Sequence, residues 1–240
     1  MDNLLKIQQW LKTIESQCVV PRVGAPVFIS DKQVVEFSTV SVEVVVYLKG
    51  VRAVQSLKSI RLLIENGLII DFYTVGRCIL DCVNEIYFLL EKYPEVSKTG
   101  EKFLQNFREA TIDDLLEEGT DVVPSKKIRN ASARVKAEEG FTTSDEAKGR
   151  LDRPYKFFSG YVHSQYVHIM EIYGGYPSEW AFKVEGLSSE KRKADYLVWI
   201  GELDEMVIHS LAFMANQFCC KQVLTEIFQH FGILETNHSS

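Results

Sequence analysis

Residues 68–92 read LIIDFYTVGRCILDCVNEIYFLLEK, and the way this stretch winds decides the fold. At about 100° per residue, Phe72, Val75, Ile79, Val83, Ile86 and Leu90 align as one apolar stripe. Ile70 and Phe88 fall on the opposite side, with Leu89 between. A helix that is apolar all round belongs at the centre of a bundle. Within it lies a polar band of Arg77, Asp81, Asn84 and Glu85. Arg77, Asp81 and Glu85 are successive i, i+4 neighbours, so their side chains can touch. Three readings of the band stand. An exposed ion-pair ladder would contribute only tenths of a kcal/mol per pair. A buried or cleft-lining network would need every charge answered, because an unpaired buried charge costs several kcal/mol. Contact with a partner helix or a second copy is the third.

On the N-terminal side, Asn66-Gly67 reads as the end of a preceding helix, with Gly67 in the C′ position. The segment from Asp31 to that turn contains "TVSVEVVVYL", which is β-branched and partly alternating. A helix is still predicted, because Val42, Val45, Val46, Ala53, Ser56, Ile60 and Leu63 form one stripe with a period near 3.6. Residues 32–92 are therefore expected to form a central antiparallel helical hairpin. Residues 3–17 carry Leu4, Ile7, Leu11 and Ile14 at helical spacing, and "PRVGAP" is expected to break that helix into an extended connector.

On the C-terminal side, residues 99–118 predict one or two short helices. Residues 119–150 are polar and variable, with a short helix around "SKKIRNASARVKAEE". Asp152 and Pro154 read as the opening of a helix that runs to Gly174-Gly175. "YPSEWAFKVEG" is an irregular connector or a hairpin arm. Ser188 would cap a last long helix, 189–231, bent midway. Its stripe of Ile200, Leu203, Val207, Leu211, Met214 and Phe218 includes Asp204, an acid that needs a cation. Arg77, Arg61, Arg52 and Lys49 are the candidates. The fold class expected is all-α: a single domain over 1–240, a bundle of five or more helices around the central hairpin.

The composition, 46% hydrophobic and 25% charged with a net charge of −6, suits a globular core and argues against a wholly basic nucleic-acid surface. Five cysteines without a Cys-x-x-Cys pair make neither a disulfide framework nor a zinc ligand set, and read as free thiols in a reducing cytoplasm. No uncharged apolar run reaches the roughly 20 residues that span a bilayer. A soluble protein with no cofactor, metal or membrane association is expected.

Two histidines stand in "FFSGYVHSQYVHIMEIYGG". His163 and His168 are five residues apart, which turns them roughly 140° away from each other on a helix, so they do not form a metal-ligand pair. Each reads either as a packing residue or as an acid–base group, and His163 is the stronger catalytic candidate. Between Pro124 and Arg153, eight basic side chains against five acidic ones leave +3, so the remaining chain carries −9. Lys126, Lys127, Arg129, Arg134 and Lys136 are thus candidates for RNA backbone contact, beside the reading of a solvated charged segment.

"YLKGVRAVQSLKSIRLLIENGLIIDFYTVGRCILDCVNEIYFLLEKY" followed by "YKFFSGYVHSQYVHIMEIYGGYP" resembles an uncharacterised bacterial all-helical family. Its members share a helical hairpin with a central Arg and acids, then a Ser-Gly-Tyr-Val-His helix ending in Met-x-x-Tyr-Gly-Gly. More distantly the arrangement is similar to HEPN-type domains, many of them metal-independent ribonucleases or toxins with an Arg and a His at a dimeric site. The resemblance implies His163 in that role, with Arg77 or Arg153 as the arginine, although nine residues intervene between Arg153 and His163 where the family has about four to six. Two functions therefore stand: a non-catalytic helical interaction or ligand-sensing protein, dimeric or with a protein or RNA partner, and a HEPN-like ribonuclease. A catalytic pairing requires the Arg77 guanidinium within about 4–6 Å of the His163 ring.

Overall fold

A computed structural model of the chain describes residues 3–30, 33–109, 123–138, 143–174, 181–186 and 190–233. The described residues are mostly helical. Helix α1 (Asn3–Ile14) buries Leu4, Ile7, Trp10, Leu11 and Ile14, the stripe its period dictates. The helical path does not break at "PRVGAP". A π-helical turn (Glu15–Val19) leads into α2 (Val20–Val23). Pro21 sits in the first turn of α2, where a missing N–H is tolerated. The chain leaves the helix only at Gly24, whose φ of +82° suits glycine.

The expected helix from Asp31 is replaced over residues 33–41. Strands β1 (Val27–Ile29) and β2 (Val34–Glu36) pair antiparallel, with Val27 opposite Glu36 and Ile29 opposite Val34. Here β-branched residues found a local partner strand, and the helix waits for Ser41, whose hydroxyl accepts from the Val44 N–H at 3.4 Å. Asp31 and Lys32 lie outside the described residues. From there α3 (Val42–Glu65) is helical through its valines, with Val42, Val45, Val46, Ala53, Ser56 and Ile60 buried on one face. Gly67, φ +70°, turns the chain into α4 (Ile69–Leu90). Buried residues surround α4 as its all-round apolarity predicts, from Ile69 and Phe72 to Phe88, Leu89 and Leu90.

The contact between α3 and α4 is the most extensive between any two elements. Three more helices pack on α4: α6 (Ser125–Glu138), α7 (Ser144–Val162) and α9 (Glu190–Gln217). Helix α5 (Lys98–Glu109) accounts for the first part of the predicted 99–118 helices, and residues 110–122 lie outside the described residues.

Helix α7 starts earlier than expected. Thr143 and Glu146 form a reciprocal capping box, so Pro154 lies inside the helix rather than at its start. The helix also stops earlier: His163 is its C-cap and Ser164 has φ +49°. A short helix α8 (Tyr166–Ile169) and a 3-10 turn (Met170–Ile172) follow. Strands β3 (Tyr173–Gly174) and β4 (Ala181–Phe182) then pair as a hairpin arm. The last long helix, expected to bend midway, instead runs unbroken to Gln217 and divides near its end into α9 and α10 (Lys221–His230) around Cys219, φ +58°. Among the described residues no helix is long and apolar enough to cross a membrane.

Candidate functional site

The polar band of α4 is met from both sides. Arg77 donates to Asp81 at 3.0 Å, the i, i+4 contact its spacing predicts. Glu85, one turn beyond Asp81, is met from another helix. Lys49 reaches across from α3 and takes Glu85 at 2.6 Å. The Lys49 ammonium also lies 5.7 Å from the Phe103 ring centre and 5.1 Å from that of Phe107, both on α5.

On the other flank, α7 presents Tyr155. The guanidinium carbons of Arg77 and Arg129 each lie 3.6 Å from the centre of its ring. Two cations cannot share one face at that distance, so the ring is sandwiched between them. Arg129, from α6, also donates through Nε to Asp152 at 2.8 Å. Helix α6 is fastened further by Ser132, whose hydroxyl donates to the Asn84 carbonyl at 3.0 Å. Helices α4, α6 and α7 thus meet at one stack, Arg77–Tyr155–Arg129, whose cations are answered by Asp81 and Asp152.

The carboxylates at this junction are costly to ionise. Burial pushes Asp81 up to about 6, against the pull of Arg77 and with help from nearby Glu85. Burial likewise raises Glu85, with Lys49 opposing. The Arg77 Nε and the Asn84 side-chain oxygen are buried with no hydrogen-bond partner. Each such group carries a desolvation cost of about 1–3 kcal/mol. Asp204 belongs to a separate pair: it is 3% exposed and takes Arg61 Nη2 on both carboxylate oxygens, at 2.6 and 2.8 Å. Of the cations proposed for it, Arg61 is bound to it.

His163 is exposed at the C-terminus of α7. Arg77 stacks on Tyr155, eight residues earlier on that helix, which separates it from His163 by about 12 Å along the axis. The structure does not bring the two together. Arg153 is exposed and lies on an open concave surface with Lys148, Gly149, Lys156 and the acids Asp145 and Asp152. His168 is the packed histidine. Its imidazole lies directly on Gly160, where a Cβ would collide with it, and meets Tyr161 edge-on with ring centres 4.2 Å apart. Its Nδ1 is buried without a partner. Tyr161 in turn donates to Glu171 at 2.6 Å, and burial raises its phenol well above the usual range.

The candidate RNA contacts divide. Lys126 and Lys127 are exposed. Arg129 is taken by Asp152 and Tyr155. Arg134 forms a two-bond pair with Glu91, at 2.6 and 3.1 Å. Lys136 lies 5.3 Å from the Tyr87 ring centre. Sequence reasoning missed Tyr155 and Lys49 as members of the junction, since both come from other helices and no local spacing reveals them. Among the described residues no group of His, Cys, Asp and Glu side chains could hold a metal ion. Comparison with protein-family models, curated proteins and solved structures finds no match to this chain.

Proposed function

We propose that the protein is a non-catalytic helical interaction module that associates with a second copy of itself in a reducing cytoplasm. The antiparallel hairpin of α3 and α4 would be its rigid frame. The observation that carries this reading is the set of exposed apolar side chains that follows α7, from Tyr166 to Val184. Tyr166 is 77% exposed, Val167 64%, Phe182 49% and Val184 79%. Large apolar side chains gathered within one short stretch of chain are a mark of an interaction surface. Charge favours a second copy as the occupant: the segment from Pro124 to Arg153 carries +3 against −9 elsewhere, so the chain is complementary to itself. The charges of the α4 junction, being mutually paired, support a structural role there. Light scattering on the purified chain tests the reading. A dimer mass is expected, and a monomer for the double variant Tyr166→Asp, Val184→Asp with unchanged helical circular dichroism. A monomeric wild type at all concentrations refutes it.

A second reading, the HEPN-like ribonuclease, rests on the concave surface of α7, where Lys148, Arg153 and Lys156 outnumber Asp145 and Asp152. His163 would take the 2′-hydroxyl proton, and Arg153 or Arg77 would stabilise charge on the phosphate. Arg153 and His163 are about 15 Å apart along the helix, so two copies would have to complete the site. Cleavage of total RNA in EDTA that is lost in His163→Ala supports it, and cleavage equal to the variant's rejects it.

A further inference from the structure

Helix α10 closes over α1 and the π-helical turn that follows it, and one of its contacts fixes a protonation state. Near the start of α10, Gln17 donates to Gln222 at 2.6 Å. One turn on, the Glu226 carboxylate accepts from the Trp10 indole at 2.9 Å and from Gln222 at 3.0 Å. At the end of the helix, Lys6 Nζ lies 3.1 Å from His230 Nδ1. An ammonium has donors and no lone pair, so Nδ1 is the acceptor and the imidazole is neutral. The His230 ring also stands edge-on to Trp10, with ring centres 5.6 Å apart. Phe231 links it to His209 of α9, at 5.2 Å from His230 and 5.4 Å from His209. Beneath this cover Trp10 is 3% exposed and Ile227 is 1% exposed.

We propose that Lys6 and His230 form a proton-operated latch: protonation of His230 releases the C-terminal end of α10 from α1 and uncovers Trp10 and Ile227 beneath it. The second ring proton has to enter at Nδ1, the atom that Lys6 occupies. It removes the acceptor and sets an imidazolium against an ammonium. The surrounding charges do not offset this. Lys6 is the cation that faces the ring from α1. On α10 itself the acid is Glu226, one turn back, and both its oxygens are engaged by Trp10 and Gln222. From α9, His209 stands beyond Phe231, with Lys136 of α6 and Glu205 as its charged neighbours. Burial, and then Lys6, hold His230 below the usual histidine range, the direction this geometry demands. A free histidine titrates at about 6.5, so the released end binds the proton more tightly than the docked one. Docking is therefore complete above about pH 6.5 and weakens as pH falls below it, towards the depressed value of the docked ring. The latch uses none of the exposed side chains from Tyr166 to Val184.

The test follows the full chain from about pH 7.5 to about pH 5.5, across the histidine range, by two local readouts. One is the NMR titration of the His230 ring. The other is amide hydrogen exchange at residues 226–230, corrected for the intrinsic pH dependence of exchange. Local readouts are needed because Asp81 titrates in the same range with the opposite effect on stability. In the wild type, His230 should titrate below about 6.5, and the end of α10 should lose protection several-fold on acidification while α4 keeps its own. Lys6→Met retains the aliphatic stem without the ammonium, so the His230 titration should move up and the loss of protection should shrink. His230→Gln cannot take the proton, and the end of its α10 should be equally protected at both pH values. His209→Gln should respond as the wild type does. Unchanged protection of α10 in the wild type overturns the proposal, and this measurement needs no variant. So does a His230 titration that stays in place in Lys6→Met, or a full acid response in His230→Gln.

Discussion

Asp204 and Asp81 each face an arginine in this bundle, and they fare differently. Asp204 is almost fully buried and accepts two short bonds from Arg61, whose other terminal nitrogen donates to the Leu57 carbonyl at 2.7 Å. Asp81 is less buried, yet it has a single 3.0 Å contact, and burial pushes its pKa up to about 6. Burial alone therefore does not decide whether a carboxylate is comfortable. What decides is how many donors meet the charged form and whether those donors have other duties. Arg77 has such a duty, because its guanidinium is also stacked on Tyr155.

The largest test of this contrast is Asp204→Ala. It leaves Arg61 partly buried without its anion and should cost about 3–5 kcal/mol, read by urea denaturation. A cost under about 1 kcal/mol would show that the pair is no better satisfied than a surface bridge. Next is Lys49→Met, which keeps the aliphatic contact with Phe103 and Phe107 but leaves Glu85 without its cation. A loss of about 1–3 kcal/mol at neutral pH is expected, shrinking on acidification as Glu85 takes up a proton.

Asp81 supplies the pH test. Its folded pKa is raised from 3.8 to about 6, so the folded state binds the proton more tightly than the unfolded chain does. The stability it contributes is complete below about pH 4 and is lost as pH rises through about 6. The urea midpoint of the wild type should therefore fall relative to that of Asp81→Asn between those two values. A parallel pair of curves would show that Arg77 satisfies Asp81 as fully as Arg61 satisfies Asp204. The smallest effect belongs to Arg134→Ala. Its bond with Glu91 is bidentate but Arg134 is half in solvent, so a loss of about 0.2–1 kcal/mol is expected, weakening further in salt.

The same contrast marks how far the sequence could be read. Helical period alone placed the faces of α3 and α4, because side-chain direction follows directly from residue spacing. It also flagged Asp204 as an acid in need of a cation and included Arg61 among the candidates. The cation that meets Glu85 was not legible, because i, i+4 spacing reports only neighbours on one helix, whereas Lys49 arrives from another. The start of α7 was legible in the Thr-Ser-Asp-Glu run at 143–146, a capping box that the proline at 154 overshadowed. Pro154 permits a helix start but does not demand one. The first hairpin was hidden because the segment from Asp31 reads as one long helix, and only the pairing of Val34–Glu36 with Val27–Ile29 reveals otherwise.

Helix α1 ends its journey against α10. Trp10 donates to Glu226 at 2.9 Å and Lys6 to His230 at 3.1 Å, and from the π-helical turn that follows, Gln17 donates to Gln222 at 2.6 Å. During synthesis the first helix emerges some two hundred residues before these partners, a delay on the order of 10–40 s at ribosomal speed. Throughout that interval the Trp10 side of α1 has no final cover, so its burial waits for the far end of the chain.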